Sequence, residues 1–260
     1  GSRRLLIALP LGTFKQHRWL PLHILSQLVV ELALGPATLA FDEAAADWSL
    51  SGVALLGTCL HVDSSVTMQY HQHIDSGNKL PLQYHSIVAP RHIANQPEFT
   101  IALSRSLSKL KQLYYVIVAG NQQITRDFRQ NINGLNTFAT DTDIMSFQVQ
   151  VGSAKFPDNE CIGAGESYFR LLQACGHEKD KGDIAIAPAD FCNDCAIFGI
   201  CFERAGNEAL FSGISTRDGK NMTLHVNNSQ VTSTTPHTVF VYQIYEGVCN
   251  IRKAAVDVGK

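Results

Sequence analysis

The sequence predicts an all-β protein built of antiparallel sheets packed as a sandwich or jelly roll. Three observations carry that expectation. Short runs rich in Val, Ile, Leu, Phe and Tyr recur along the chain, punctuated by Gly, Pro, Asn and Asp. Several of them alternate with period two, the spacing of a half-buried strand. Helical pattern is sparse and has no strand-helix rhythm, which argues against a parallel α/β sheet.

The strand-like runs are Leu5 to Leu9, Gln27 to Leu34, Val53 to Val62, Phe99 to Leu103, Leu113 to Ala119, Phe147 to Val151, Ile197 to Phe202, Met222 to Val226 and Val239 to Tyr245. In Ser146-Phe147-Gln148-Val149-Gln150-Val151 the apolar side chains share one face and the glutamines the other. Asp63-Ser64-Ser65 caps a short helix through about Ile74, ended by Ser76-Gly77-Asn78. Gly165-Glu166-Ser167 opens a second through about Cys175, ended by Gly176. Residues 121–143, rich in Asn, Gln, Thr and Asp, read as a long surface loop between strands, the kind of segment that carries function in a β-sandwich. A domain boundary falls near Val62 to Pro81, and no repeat of solenoid or propeller period recurs.

Composition narrows the function. The chain has 260 residues, 45% apolar and 17% charged, with 21 Lys+Arg against 23 Asp+Glu for a net charge of −2. Such a chain has the apolar content to fold, and it lacks the cationic excess of a protein that coats nucleic acid. No run approaches the roughly 18 apolar residues of a membrane-spanning helix. The first residues, Gly1 to Ile7, lack the long apolar stretch of a signal peptide and enter strand-like sequence almost at once. Seven dispersed cysteines suit reduced, mostly buried thiols rather than a disulfide scaffold, and point to an intracellular life.

Candidate chemistry is thin. Cys192 and Cys195 have zinc-knuckle spacing, with Cys201 and His177 near them in sequence, but a structural zinc site usually shows a second matched pair. Buried or loop thiols are the plainer reading, and no metal or cofactor is expected. His71 and His73 fall on opposite flanks of the first helix and cannot both hold one ion there, so a solvent-facing, interhelical or strand-contact role suits them better. Gly163-Ala164-Gly165 lacks the third glycine and the βαβ setting of a nucleotide loop. No glycine follows Ser167 as a nucleophile elbow requires, and Asp141 and Asp143 read as solvated turn acids. Asn221 and Asn227 match the glycosylation triplet, a pattern that also arises by chance. No catalytic constellation emerges, and no enzyme is expected.

The order of the features is more informative. Leu9-Pro10-Leu11 and an aromatic at Phe14 precede a second corner, Leu20-Pro21-Leu22, and then the strand from Leu28. Leu60-His61-Val62-Asp63 leads into the helix through Tyr70 and His73. Phe99 to Leu107, Tyr114 to Val118, Phe147 to Gly152, Tyr168-Phe169 before His177, Phe198 to Phe202, Ser212-Gly213-Ile214-Ser215 and Val239 to Tyr242, leading to Asn250-Ile251-Arg252, follow in turn. This succession resembles the major capsid proteins of large eukaryotic DNA viruses, which carry two jelly rolls, or their virophage and transposon-borne relatives. The sequence departs from that pattern at Ser215 to Gly219, where the family has an Asn-rich segment, and at Ala254 to Val258, where it has a Gly-rich terminus.

The resemblance implies a domain plan. Residues 1–62 would supply the closing strands of a first jelly roll, 63–80 a connecting helix and linker, and 81–260 a complete second jelly roll. On that plan the opening strands of the first sandwich lie upstream in a longer natural chain or come from another segment. It also implies a structural capsid subunit in the virion, assembled inside the infected cell, that self-associates as a homotrimer and then with neighbouring capsomers and minor capsid proteins, without sequence-specific nucleic-acid binding. Phe128, Ile132, Leu135 and Phe138, spaced along the polar loop, are candidate subunit contacts; a loop packed on its own domain is the other reading. The alternative function is a carbohydrate- or ligand-binding β-sandwich module, which exposed aromatics in a concave face would favour.

Overall fold

The computed structural model describes residues 6, 12, 19–25, 28–33, 49–119, 145–176, 186–193, 196–202, 213–217, 220–229, 231–234, 236–252 and 255–259. The chain forms two compact units, one of Gly1–Tyr84 with Gly247–Gly259, the other of His85–Glu246 with Lys260.

In the first unit, helix α1 (Ser64–Asp75) forms where its capping residues place it. The Asp63 carboxylate accepts the Ser65 N–H at 2.9 Å, and the Ser76 N–H closes the other end on Gln72 O. Pro21 starts a tight turn in which the Ile24 N–H donates to Pro21 O at 3.0 Å. His23 on this turn meets Tyr70 and His71 of α1 edge-on, at 5.6 and 6.0 Å between ring centroids. His71 is exposed, as the solvent-facing alternative has it, and its ring contact is with a turn rather than with a helix or strand.

Among the described residues before α1, the strand pattern is not realised as strands. Residues 28–33 and 53–62 carry no ladder, and Val29, Val53, Leu55, Leu56 and Leu60 stand more than half exposed. A strand needs a neighbour to take its backbone hydrogen bonds, and composition alone does not supply one. Among the described residues, the closing strands expected within 1–62 are thus extended or turn segments.

The remaining strands are β1 (Leu80–Val88), β2 (Arg91–Ala94), β3 (Glu98–Leu103), β4 (Leu110–Ala119), β5 (Met145–Val151), β6 (Ala154–Ile162), β7 (Phe198–Cys201), β8 (Met222–Asn228), β9 (His237–Arg252) and β10 (Ala255–Gly259). Helices α2 (Gly163–Ala174) and α3 (Pro188–Asn193) lie between β6 and β7. The pairing is nested. β2 pairs with β9, β3 with β8, β4 with β7 and β5 with β6, all antiparallel, so the chain from β2 to β9 is one long hairpin. Rolling it up adds the β4–β9 and β5–β8 ladders and yields two sheets, β1-β9-β4-β7 and β3-β8-β5-β6, with β2 and β10 also on β9. That is a jelly roll.

Burial follows the period-two pattern. Phe147, Val149 and Val151 of β5 and Met222, Leu224 and Val226 of β8 face inward, as do Leu113, Tyr115 and Ile117 of β4 and Val239 and Val241 of β9. At the centre the Tyr115 ring stacks on Phe198 at 4.8 Å, with Phe147 edge-on to both at 5.4 and 5.7 Å. Several edges differ from expectation. Sequence pattern shows no strand at Pro157-Asp158-Asn159-Glu160, yet these residues lie within β6, an outer strand where proline does not break an interior ladder. β2 and β10 are likewise not marked by their composition. β9 runs well past Tyr245, and α3 is a single short helix that pattern does not announce.

Candidate assembly surfaces of the sandwich

Antiparallel order fixes which connections share an end of the jelly roll. Residues 95–97, 120–144, 163–197 and 229–236 leave from one end, and 104–109, 152–153 and 202–221 from the other. The expected contact residues Phe128, Ile132, Leu135 and Phe138 belong to the 120–144 connection and lie outside the described residues, as do Asp141 and Asp143.

α2 is seated on β7 and β4. Gly199 makes the seat. A Cβ there would stand 2.9 Å from Ala174 Cβ, 3.2 Å from Tyr114 Cε1 and 3.3 Å from Leu171 Cα, so only glycine lets the helix come this close. The Tyr114 hydroxyl donates to Ala174 O at 2.8 Å, and the Tyr168 hydroxyl to Ile186 O at 3.1 Å. Phe191 of α3 bridges Tyr168 and the core ring Phe198, at 5.3 and 5.9 Å. Aromatic contacts therefore tie this end of the fold to its core.

The start of α2 is self-satisfied. Gly163 has φ 79°, the Ser167 hydroxyl donates to Gly163 O at 2.6 Å, and a Glu166 carboxylate oxygen accepts the Ile162 N–H at 3.2 Å. Glu166 also pairs with Arg170 at 3.2 Å. A carboxylate already sits where a bound phosphate would need to be.

A groove of about 580 Å³ runs between β6, α2 and β7, lined by Phe156, Asp158, Glu166, Arg170 and Phe202 among others. Its guanidinium is committed to Glu166 and to Gln173 Oε1, the latter at 3.1 Å. Of its two aromatics, Phe202 is buried and Phe156 packs edge-on against it at 5.2 Å. Among the described residues, the exposed aromatic platform that a sugar-binding face needs is not present here.

The thiols are separated by role. Cys192 lies in α3 and Cys201 ends β7, both half-buried, while Cys195 and His177 lie outside the described residues. Among the described residues no cluster of three or more His, Cys, Asp or Glu side chains is arranged to hold a metal. Burial pushes the Cys161 thiol up to about 11 despite a contact with Ser167 Oγ at 3.7 Å.

The outer faces of the two sheets differ. On the second sheet, Thr100, His225 and Gln148 stand side by side on neighbouring strands, and His225 is held by Thr100 Oγ1 at 2.9 Å and Thr223 Oγ1 at 3.1 Å. Asn227 sits half-buried on this face between Glu98 and Ser146, whereas Asn221 is exposed just before β8. On the first sheet the outward positions mix polar and apolar residues, with Gln112 beside Ile244, Tyr114 beside Tyr242, Val116 beside Phe240, and Arg91 over the Phe240 ring at 5.9 Å.

At the opposite end, Lys109 Nζ donates to Glu246 at 2.9 Å and Lys111 lies 3.5 Å from its other oxygen. Burial pushes the Glu246 carboxyl up, but the hydrogen bond and charge of Lys109, with Lys111, outweigh it and hold the group below the usual carboxylate range. Sequence reasoning missed this cluster, because alternating Lys109 and Lys111 look like solvated strand charges until β9 is laid beside them.

Comparison with known proteins returns likeness in structure only. PBCV-1 VP54, fitted into a reconstruction of the virophage Sputnik, matches with a TM-score of 0.47 at 12% identity over 76% of this chain and 55% of its own. A protein of the Sputnik virophage structure matches with a TM-score of 0.40 at 8% identity, over 70% of this chain and 39% of its own. The major capsid protein of mavirus matches with a TM-score of 0.32 at 12% identity, over 68% of this chain and 41% of its own. This chain spans roughly half or less of the length of these proteins. No family model and no curated protein matches it.

Proposed function

We propose that the chain is a structural subunit of an icosahedral virus capsid, of the double jelly-roll type, that acts without catalysis. The observation that carries this reading is the nested pairing of β2 through β9, which places the strands in jelly-roll order just where the sequence motifs resemble those of the capsid family. Residues 1–62 belong to a first jelly roll, residues 63–80 connect, and residues 81–260 form the second. The apolar residues left exposed at 28–32 and 50–62 fit a sheet that is completed by further strands. Three subunits, each with two sandwiches side by side, form a near-hexagonal tile. Tiles then meet neighbouring tiles and minor capsid proteins in the virion. A net charge of −2 suits a shell that does not neutralise the genome itself.

Electron microscopy of the purified protein under assembly conditions tests this. Near-hexagonal particles or sheets of them are expected. A protein that binds glycans on an array and shows no such particles would be a ligand-binding sandwich instead.

A further inference from the structure

Charge on the sandwich is sorted by end. The connections 104–109, 152–153 and 202–221, with the strand ends they join, place Arg105, Lys109, Lys111, Lys155, Arg217 and Lys220 at one end. Among the described residues of that end the one acidic side chain is Glu246, which Lys109 and Lys111 already hold. The whole 202–221 connection adds Arg204 with Glu203, Glu208 and Asp218, and the surplus stays cationic. The other end is the reverse. Glu98, Glu160, Glu166 and Asp190 stand against Arg170 among its described residues, and both 120–144 and 163–197 hold more acids than bases in sequence.

Hydrogen bonds draw these cations onto one surface. The Thr216 hydroxyl donates to Arg105 O at 2.9 Å and the Thr216 N–H to Leu107 O at 2.9 Å, which brings the Arg217 backbone close to Arg105. The Gly152 N–H donates to Asn221 O at 3.0 Å, which brings Lys220 to the turn between β5 and β6, where Lys155 follows. Arg105, Lys155, Arg217 and Lys220 are exposed. The charges extend from β3 at one edge of the second sheet to β6 at the other, and Lys109 and Lys111 carry them across to the first sheet. β5 and β8, at 7 residues each, separate the two ends by about 20 Å at ~3.3 Å per residue, roughly two Debye lengths at 0.1 M salt, so each end meets its surroundings separately.

We propose that this cationic end docks on an anionic lipid surface, pairing with headgroup phosphates and carboxylates without inserting. The chain as a whole carries a charge of −2 and would be repelled by such a surface, so the attraction is local to the end and also sets the orientation, with the acidic end outward. Cations spread over the width of both sheets match a plane. A nucleic-acid strand or an acidic peptide calls instead for a charged groove that tracks it. The hollow at this end, of about 260 Å³, has Lys220 as its one charged lining residue. Among the described residues no exposed aromatic or other large apolar side chain stands at this end, either for a base to stack on or for insertion between lipid tails. The surface is a property of the sandwich and does not rest on the capsid reading.

Cosedimentation of the full chain with phosphatidylcholine vesicles containing about 30% phosphatidylserine, at low ionic strength, tests the docking. Binding is expected there, and none to phosphatidylcholine alone. The triple variant Arg105→Glu, Arg217→Glu, Lys220→Glu should bind at least about tenfold more weakly. All three positions are exposed, so its melting curve should match the parent and separate lost docking from lost folding. Glu98→Gln with Asp190→Asn, which raises the net charge from the far end, should leave binding within about twofold, because that end lies beyond the reach of the surface field. Failure to bind the anionic vesicles overturns the proposal, as does binding that survives the triple reversal. Tighter binding on neutralising Glu98 and Asp190 would mean that net charge acts and not the end. A duplex oligonucleotide that strips the protein from the vesicles at equal phosphate concentration would assign the end to nucleic acid instead.

Discussion

Adding one methyl group at Gly199 should loosen the seat of α2 on the jelly roll. The new Cβ would meet Ala174 Cβ at 2.9 Å, Tyr114 Cε1 at 3.2 Å and Leu171 Cα at 3.3 Å. Ala174 and Leu171 are backbone-anchored positions of a helix whose own contacts include the Tyr114 bond to Ala174 O at 2.8 Å, so the helix must move as a body. Overpacking of this kind costs about 1–3 kcal/mol. Alanine recovers roughly 0.5–1 kcal/mol by restricting the unfolded chain. The net expectation for Gly199→Ala is therefore a loss of about 1–2 kcal/mol, or a Tm lower by about 2–8 °C at roughly 2–4 °C per kcal/mol. Urea denaturation followed by circular dichroism measures it. Ala174→Gly alone should cost about 1 kcal/mol as a helix substitution, but in the Gly199→Ala background it removes the shortest contact and should cost less, giving a coupling above about 0.5 kcal/mol. A Gly199→Ala protein as stable as its parent, or two substitutions that simply add, would refute the close approach.

Other perturbations probe other parts. Thr216 is buried, accepts the Leu107 N–H at 2.8 Å and donates to Arg105 O at 2.9 Å, so Thr216→Val should lose about 2 kcal/mol in the same denaturation assay while Thr216→Ser keeps most of it. The Glu246 carboxyl is held below its ordinary value by its lysines, so its contribution to stability is present above the unfolded value near pH 4.3 and is lost as pH falls through the folded value; Glu246→Gln should flatten that acid limb of a stability-against-pH curve. Cys59 is exposed and Cys161 fully buried with its thiol pushed up to about 11, so iodoacetamide followed by mass spectrometry should modify Cys59 early and Cys161 only on unfolding. Tyr115 Oη is buried and, among the described residues, has no hydrogen-bond partner, so Tyr115→Phe should be neutral or stabilise by about 1 kcal/mol; a clear loss in a thermal melt would reveal a partner.

The jelly roll was legible where strands lie inside sheets. β5 and β8 alternate cleanly because each has a neighbour on both sides and one face in the core. Capping chemistry located α1 because the Asp63 side chain acts within its own turn. What pattern cannot express is pairing. Val53 to Val62 has strand composition and no ladder, while Pro157 to Glu160 has turn composition and lies in an edge strand. The same limit explains Lys109, Lys111 and Glu246, far apart in sequence and joined only by the β4–β9 register. The Gly199 seat was equally hidden, because a glycine in a strand signals a close approach without naming what approaches.

Native mass spectrometry of the purified chain addresses the capsid reading most directly. A trimer as the principal species, growing into larger multiples under assembly conditions, is the predicted result. A protein that stays monomeric at every concentration and ionic strength would contradict it.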